Sequence, residues 1–310
     1  MQSEQFQLHA QIEQRHWWFV ARRRILRDVI RKIAPPGSSP LDDRWRLHRR
    51  LTMGEAVKAI ESRPMVVDIG CGTGANLAAL ADEYRCLGVD TSAEAVELAR
   101  QRFLGVTFVC GFAPQDVKHR LNRAAVVMLT DVLEHVADDR DLLASIVDAC
   151  PPGAQILITV PADMRLWSPH DEAFGHYRRY DAQSLAAVWT GLPVNPRLLS
   201  HFNSRLYPLI RGIRAMNRWR GRTSGAANTD FTLPAPPINS ALEACFAGER
   251  RRLIGAIDGA SAGYRRGVSL IAILQREAVP QSKTTTLNPI VLSGNAADLA
   301  ASVISAPAAL

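Results

Sequence analysis

The chain has 310 residues, 47% of them hydrophobic and 22% charged, the balance of a globular protein large enough for one α/β domain with appendages. It carries 37 Lys and Arg against 30 Asp and Glu, a formal net charge of +7, and has no run of about 18 uncharged apolar residues that would span a bilayer. The charge is uneven: residues 51–200 are net acidic, whereas residues 1–50 and 201–280 are net basic.

Solvated helix faces are the plain reading of that imbalance. The sharper one is attraction of an anionic or lipid-linked acceptor, with peripheral contact to a phospholipid surface. Nucleic acid is not expected, because no aromatic–basic recognition motif accompanies the charge. The polar opening MQSEQFQLHAQIEQ lacks the apolar core of a secretory signal. Five cysteines without CxxC or metal-ligand spacing read as reduced thiols. A cytoplasmic location is the expectation.

In chain order, Trp18, Ile25, Leu26, Val29, Ile30 and Ile33 recur at spacings of three and four, which predicts a helix. Pro35 to Pro40 ends it, and an Arg-rich stretch, RWRLHRR, follows. Residues 1–53 are read as an N-terminal helical lid and linker. From residue 54 the apolar runs MVVDI, CLGVD, VTFVC, AAVVMLT and QILITV alternate with the helical patterns ANLAALADEY, SAEAVELARQRF and DDRDLLASIVDAC. Such alternation predicts an α/β fold with a mainly parallel sheet, helices on both faces and ligands beyond the carboxyl ends of the strands. NPRLLSHF and GVSLIAILQ add two strands, making seven. Residues 204–257 between them read as a helical, substrate-covering insertion within a domain of residues 54–277. Residues 278–310 are expected to be a disordered tail.

The chemistry centres on VVDIGCGTGAN, residues 66–76. Its glycines let backbone approach a ligand that side chains would block. Gly70, Gly72 and Ala75 also satisfy the G-x-G-x-x-A form, and Asp90 lies twenty residues beyond Gly70. The loop alone therefore leaves a dinucleotide open. Asp68, two residues before the first glycine, would repel a pyrophosphate.

Taken in order, VVDIGCGTG, CLGVDTSAEAVELAR, LTDVLEHVADD and ILITVPA resemble the class I S-adenosylmethionine-dependent methyltransferases over roughly residues 60–190. HWWFVARRR and HDEAFGHYRRYDAQSL are similar to a bacterial type 11 or type 12 subgroup of them, with the likeness reaching to about residue 276. The resemblance implies a Rossmann-like fold, S-adenosylmethionine as cofactor and S-adenosylhomocysteine as product. It implies methylation of O or N on a small-molecule or lipid- or glycan-linked acceptor. Cofactor contacts are implied for Gly70, Gly72, Gly74, Thr91 and Asp131, with Asp90 accepting from the ribose hydroxyls. Asp68 would orient the methionine ammonium, and Arg22 would bind the methionine carboxylate.

Phe112 departs from the family pattern, standing where an acid usually reaches the adenine amino group. It is expected to stack on adenine, or to leave the polar contact to Gln115 or Asp116. His135 is the expected general base, since imidazole titrates near neutrality. The D-x-x-E-H run beginning at Asp131 also resembles the E-x-x-E-H metal site of quinone-biosynthesis O-methyltransferases, with Asp for its first Glu; no metal is expected. Trp18, Trp167, His170, Asp171, His176, Tyr177 and Arg179 are the expected acceptor contacts. Two other readings stay open, a non-catalytic methyltransferase-like binding module and a nicotinamide oxidoreductase. The second lacks a Ser/Tyr/Lys or zinc constellation. Oligomeric state is not legible.

Overall fold

The computed structural model describes residues 3–37, 52, 54, 58, 60–219 and 232–278. The segment RWRLHRR, the expected tail from residue 279 and residues 220–231 of the insertion lie outside the described residues.

Seven strands form one sheet: β1 (Met65–Ile69), β2 (Arg85–Asp90), β3 (Thr107–Cys110), β4 (Val126–Thr130), β5 (Gln155–Pro161), β6 (Val194–Phe202) and β7 (Ser269–Arg276). Their order is β3-β2-β1-β4-β5-β7-β6. β1 to β5 pair in parallel, and β7 runs antiparallel to both β5 and β6. Every residue of β1, β4 and β5 is buried. That is why those runs read as continuously apolar rather than alternating. The order reverses between β1 and β4, and in such sheets the crevice beyond the strand ends opens at that point.

The helices are α1 (Ser3–Ile12), α2 (Trp17–Ile33), α3 (Ala75–Ala78), α4 (Ala93–Arg102), α5 (Lys118–Leu121), α6 (Asp139–Ala149), α7 (Pro169–Ala173), α8 (Ala182–Trp189), α9 (Tyr207–Trp219), α10 (Pro236–Ala247) and α11 (Arg250–Ile257). Leu143, Ile146 and Val147 of α6, with Leu185 and Val188 of α8, pack one sheet face. The other face is covered by α2, α4, α10 and α11 through residues such as Ile25, Val96, Phe246 and Leu253.

Two expectations change here. The segment read as a lid contributes a core helix: Ile25, Val29 and Ile30 of α2 are wholly buried against Val66, Met128 and Ile273 of the sheet. The alternation of Arg with apolar residues is a half-buried helix, not a flap. The helix expected through Tyr84 ends at Ala78. The chain continues in turns that bury Leu80 and Tyr84, and the Tyr84 hydroxyl donates to the Ala34 carbonyl at 2.9 Å.

Candidate active site

The glycine loop leaves β1 with Gly70, Gly72 and Gly74 at φ of 69°, 51° and 85°, left-handed backbone that favours glycine. Their reasons differ. A Cβ on Gly70 would lie 2.7 Å from Val132, and one on Gly74 would lie 2.6 Å from Phe108, whereas one on Gly72 would meet nothing within 4 Å. The outer two glycines permit packing; the middle one leaves room on the cavity wall. Gly70 N–H and Cys71 N–H donate to the Val89 carbonyl at 2.8 and 3.1 Å, tying the loop to β2. Asp90, ending β2, accepts from Gly72 N–H at 2.8 Å and from Ser92 N–H at 2.9 Å.

A cavity of about 950 Å³ lies over this loop, near the top of the ~300–1,000 Å³ range of small-molecule sites. Gly70, Gly72, Asp90, Thr91 and Phe112 line it, together with Asp131, Glu134, His135, His170, His176 and Arg179. Trp17, Trp18 and Arg22 from the first turns of α2 complete the wall, with Ile213 and Arg214 of α9.

The carboxylates are unequally satisfied. Asp131 has φ 60° just beyond β4, a strained conformation of the kind that clusters at functional sites. It pairs with Arg22 at 2.8 Å and accepts from the Thr159 hydroxyl at 3.0 Å, while Arg22 donates to Thr159 at 2.9 Å. Arg22 also lies 4.8 Å over the Trp18 ring. Asp68 is fully buried beneath the loop without a hydrogen-bond partner for either oxygen. Burial pushes its pKa up to about 7, although Arg22 pulls the other way. Glu134 is also fully buried with both oxygens unpartnered, and burial together with Asp131 raises its pKa well above the usual carboxylate value.

Beyond β5, Asp171 at zero exposure accepts from Arg179 Nε at 2.8 Å and Nη2 at 3.0 Å. His176 Nδ1 lies 2.9 Å from Asp171 Oδ1. Burial alone would raise the Asp171 pKa, but the His176 hydrogen bond and the Arg179 charge hold it below the usual carboxylate range. The His135 and His176 rings meet edge to face at 4.6 Å. Burial and the neighbouring His176 lower the His135 pKa to about 4, so its ring is neutral at ordinary pH.

Most residues singled out in the sequence thus meet on one cavity: Arg22, Gly70, Gly72, Asp90, Thr91, Phe112, Asp131, His135, Trp18, His170, His176 and Arg179. Asp68, Gly74, Trp167, Asp171 and Tyr177 do not line it. Asp68 and Asp171 lie fully buried. Gly74 serves packing, Trp167 Nε1 donates to Glu172 at 3.3 Å, and Tyr177 is exposed. Asp116 is turned away as well, accepting from Phe112 N–H at 2.7 Å, while the Phe112 ring stays exposed beside the loop. Sequence reading passed over Asn203, a buried cavity residue with both amide atoms unpartnered, and Glu13, which accepts from the Thr73 hydroxyl at 2.9 Å. Neither belongs to a motif, and both arrive through long-range packing.

The cofactor implied by the sequence carries a sulfonium, an ammonium, a ribose and an adenine, but no phosphate. The residues present fit it. Gly72 leaves open space, Asp90 keeps lone pairs free on the wall, and Phe112 offers an aromatic face.

A family model described as "Methyltransferase domain" matches residues 22–192, more than half of the chain. No curated protein matches it. Among solved structures, the plantazolicin methyltransferase BpumL, in complex with a monoazolic desmethylPZN analog and SAH, is 12% identical with a TM-score of 0.47, covering 84% of this chain and 85% of that one. A SAM-dependent methyltransferase from Archaeoglobus fulgidus is 17% identical with a TM-score of 0.42, covering 80% and 97%. Geranyl diphosphate C-methyltransferase from Streptomyces coelicolor A3(2), in complex with Mg2+, geranyl diphosphate and S-adenosyl-L-homocysteine, is 13% identical with a TM-score of 0.43, covering 70% and 73%.

Proposed function

We propose, from the premise that this chain belongs to the methyltransferase-domain family and is a class I S-adenosylmethionine-dependent enzyme, that it methylates an oxygen or nitrogen of a small molecule held against Glu134, His135 and His176. The observation that carries this reading is the single cavity lined both by the glycine loop with Asp90 and by that Glu/His wall. S-adenosylmethionine supplies an electrophilic methyl group on a sulfonium.

The chain's own part is positional. Asp90, braced by the amides of Gly72 and Ser92, takes the ribose hydroxyls, and Phe112 covers the adenine. Trp17 and Trp18 exclude water from the reacting end. As the methyl moves, the sulfur–carbon bond breaks while a carbon–oxygen or carbon–nitrogen bond forms. The acceptor's proton leaves on the side of the Glu/His wall, and S-adenosylhomocysteine remains.

Calorimetric titration with S-adenosylmethionine, S-adenosylhomocysteine and NAD tests the cofactor end. Binding of the first two without NAD supports the reading, and binding of NAD alone overturns it. Mass spectrometry of metabolites from cells with and without the gene identifies the acceptor. A methylated protein or nucleic acid in place of a small molecule would refute the acceptor class.

A further inference from the structure

We propose that Glu134, His135 and His176 form a binding site for one divalent transition-metal ion at the acceptor end of the cavity. One carboxylate oxygen and two ring nitrogens from these residues all lie within 4.8 Å of one another. Two imidazoles with a carboxylate suit zinc, cobalt and nickel better than calcium or magnesium. With bonds of about 2.0–2.2 Å, a tetrahedral ion needs its ligand atoms about 3.4 Å apart. From separations of at most 4.8 Å, reaching that spacing requires each pair of ligand atoms to close by no more than about 1.4 Å.

Three observations point the same way. Glu134 is wholly buried, and neither of its oxygens has a hydrogen-bond partner. An ionised carboxylate in that position is costly unless a cation meets it. His176 is oriented from behind: Asp171 takes Nδ1 at 2.9 Å and is itself clamped by Arg179 through two bonds. With Nδ1 taken up by Asp171, Nε2 is the ring atom that remains for an ion, the arrangement that orients histidine ligands in metal sites. His135, third in the set, packs edge-on against His176 at 4.6 Å, which brings the two rings to the same spot.

The set is not the one suggested by the D-x-x-E-H run. Asp131 is engaged by Arg22 and Thr159, and the third ligand comes instead from the loop after β5. Three protein ligands leave a coordination position open. All three residues line the cavity, so that position faces it. The acceptor then presents a ligating oxygen or nitrogen there. This last clause rests on the methyl-transfer reading; the metal site does not.

The test uses the full chain, stripped with a chelator and desalted, then titrated with Co2+ by visible absorption and with Zn2+ by calorimetry. One equivalent is expected to bind. Glu134→Gln and His176→Gln should each weaken it at least about 100-fold, beyond the loss typical of an orienting residue. His119→Ala, at an exposed histidine outside the cavity, should change nothing. The same samples are titrated with S-adenosylmethionine. Wild-type protein that binds Co2+ no better than the two variants, while binding S-adenosylmethionine, overturns the metal site and leaves the methyl-transfer reading intact. Co2+ binding without S-adenosylmethionine binding does the reverse. Should a variant fail to fold, wild-type protein treated with diethyl pyrocarbonate decides the matter. Zn2+ should protect His135 and His176 from modification, and protection of other histidines alone refutes the site.

Discussion

Replacing Asp90 with alanine probes the cofactor end most directly. Each carboxylate oxygen of Asp90 holds one backbone amide, Gly72 at 2.8 Å and Ser92 at 2.9 Å, and the side chain still faces the cavity. Two ribose hydroxyls donating to the remaining lone pairs contribute about 1.5–3 kcal/mol, hydrogen bonds to a charged group being the stronger kind. Asp90→Ala should therefore raise the S-adenosylmethionine dissociation constant by about 10–150-fold. Losing the brace on Gly72 adds to the effect, since the loop must then be ordered by the ligand. Asp90→Asn should fall between, because its amide would place donors against the N–H of Gly72 or Ser92. Calorimetry reads the affinity, and circular dichroism confirms the fold. An unchanged dissociation constant for Asp90→Ala would remove this residue from the site and with it the assignment of the loop.

Deleting residues 1–34 should unfold the protein rather than merely open the site, because Ile25, Leu26, Val29 and Ile30 are buried in the core. Their burial stabilises by roughly 6–12 kcal/mol, comparable with the ~5–15 kcal/mol of a typical domain; a cooperative melt of the truncated chain would show otherwise. Gly74→Ala should destabilise strongly through its contact with Phe108, while Gly72→Ala should keep the fold and lose cofactor affinity. Equal melting temperatures for the two variants would contradict that division. For Asp68, burial lifts the folded pKa to about 7 from an ordinary 3.8, so the folded state binds more protons and stability falls as pH rises through that window. Asp68→Asn does not titrate, and its stability advantage over wild type should widen by about 2–3 kcal/mol between pH 5 and 8. Parallel urea stabilities at the two pH values would refute the assignment.

The sheet was legible because β1, β4 and β5 are buried on both faces and read as short apolar runs between helical patterns. Asp90 and the glycine loop were legible because strand, turn and helix follow one another within a few dozen residues. The acceptor end was not. Asp171, expected to touch the acceptor, sits behind His176, and that ordering depends on Arg179 folding back onto it. Glu134 read as part of a run with Asp131, yet the structure sends Asp131 to Arg22, 109 residues earlier in the chain. Local periodicity reports which face of a helix is buried; it does not report which charge that face will meet.

The same distinction bears on the basic flanks. An excess of arginine at both ends suggested attraction of an anionic acceptor, but several of those side chains are engaged by carboxylates of the same chain. Arg31 pairs with Glu83, Lys32 with Asp258, Arg24 with Glu243 and Arg250 with Asp28. On the cavity wall Arg22 is held by Asp131, and Arg179 by the Asp171 carboxylate behind it. Glu134 is the wall's unpartnered buried carboxylate, and a carboxylate in a low-dielectric site calls for positive charge or a hydrogen-bond donor. The electrostatic demand at the acceptor end is therefore for positive charge. It is met by a proton on Glu134 itself, which burial favours, by an ion held between Glu134, His135 and His176, or by an acceptor that brings its own positive charge, and the cobalt titration picks out the second.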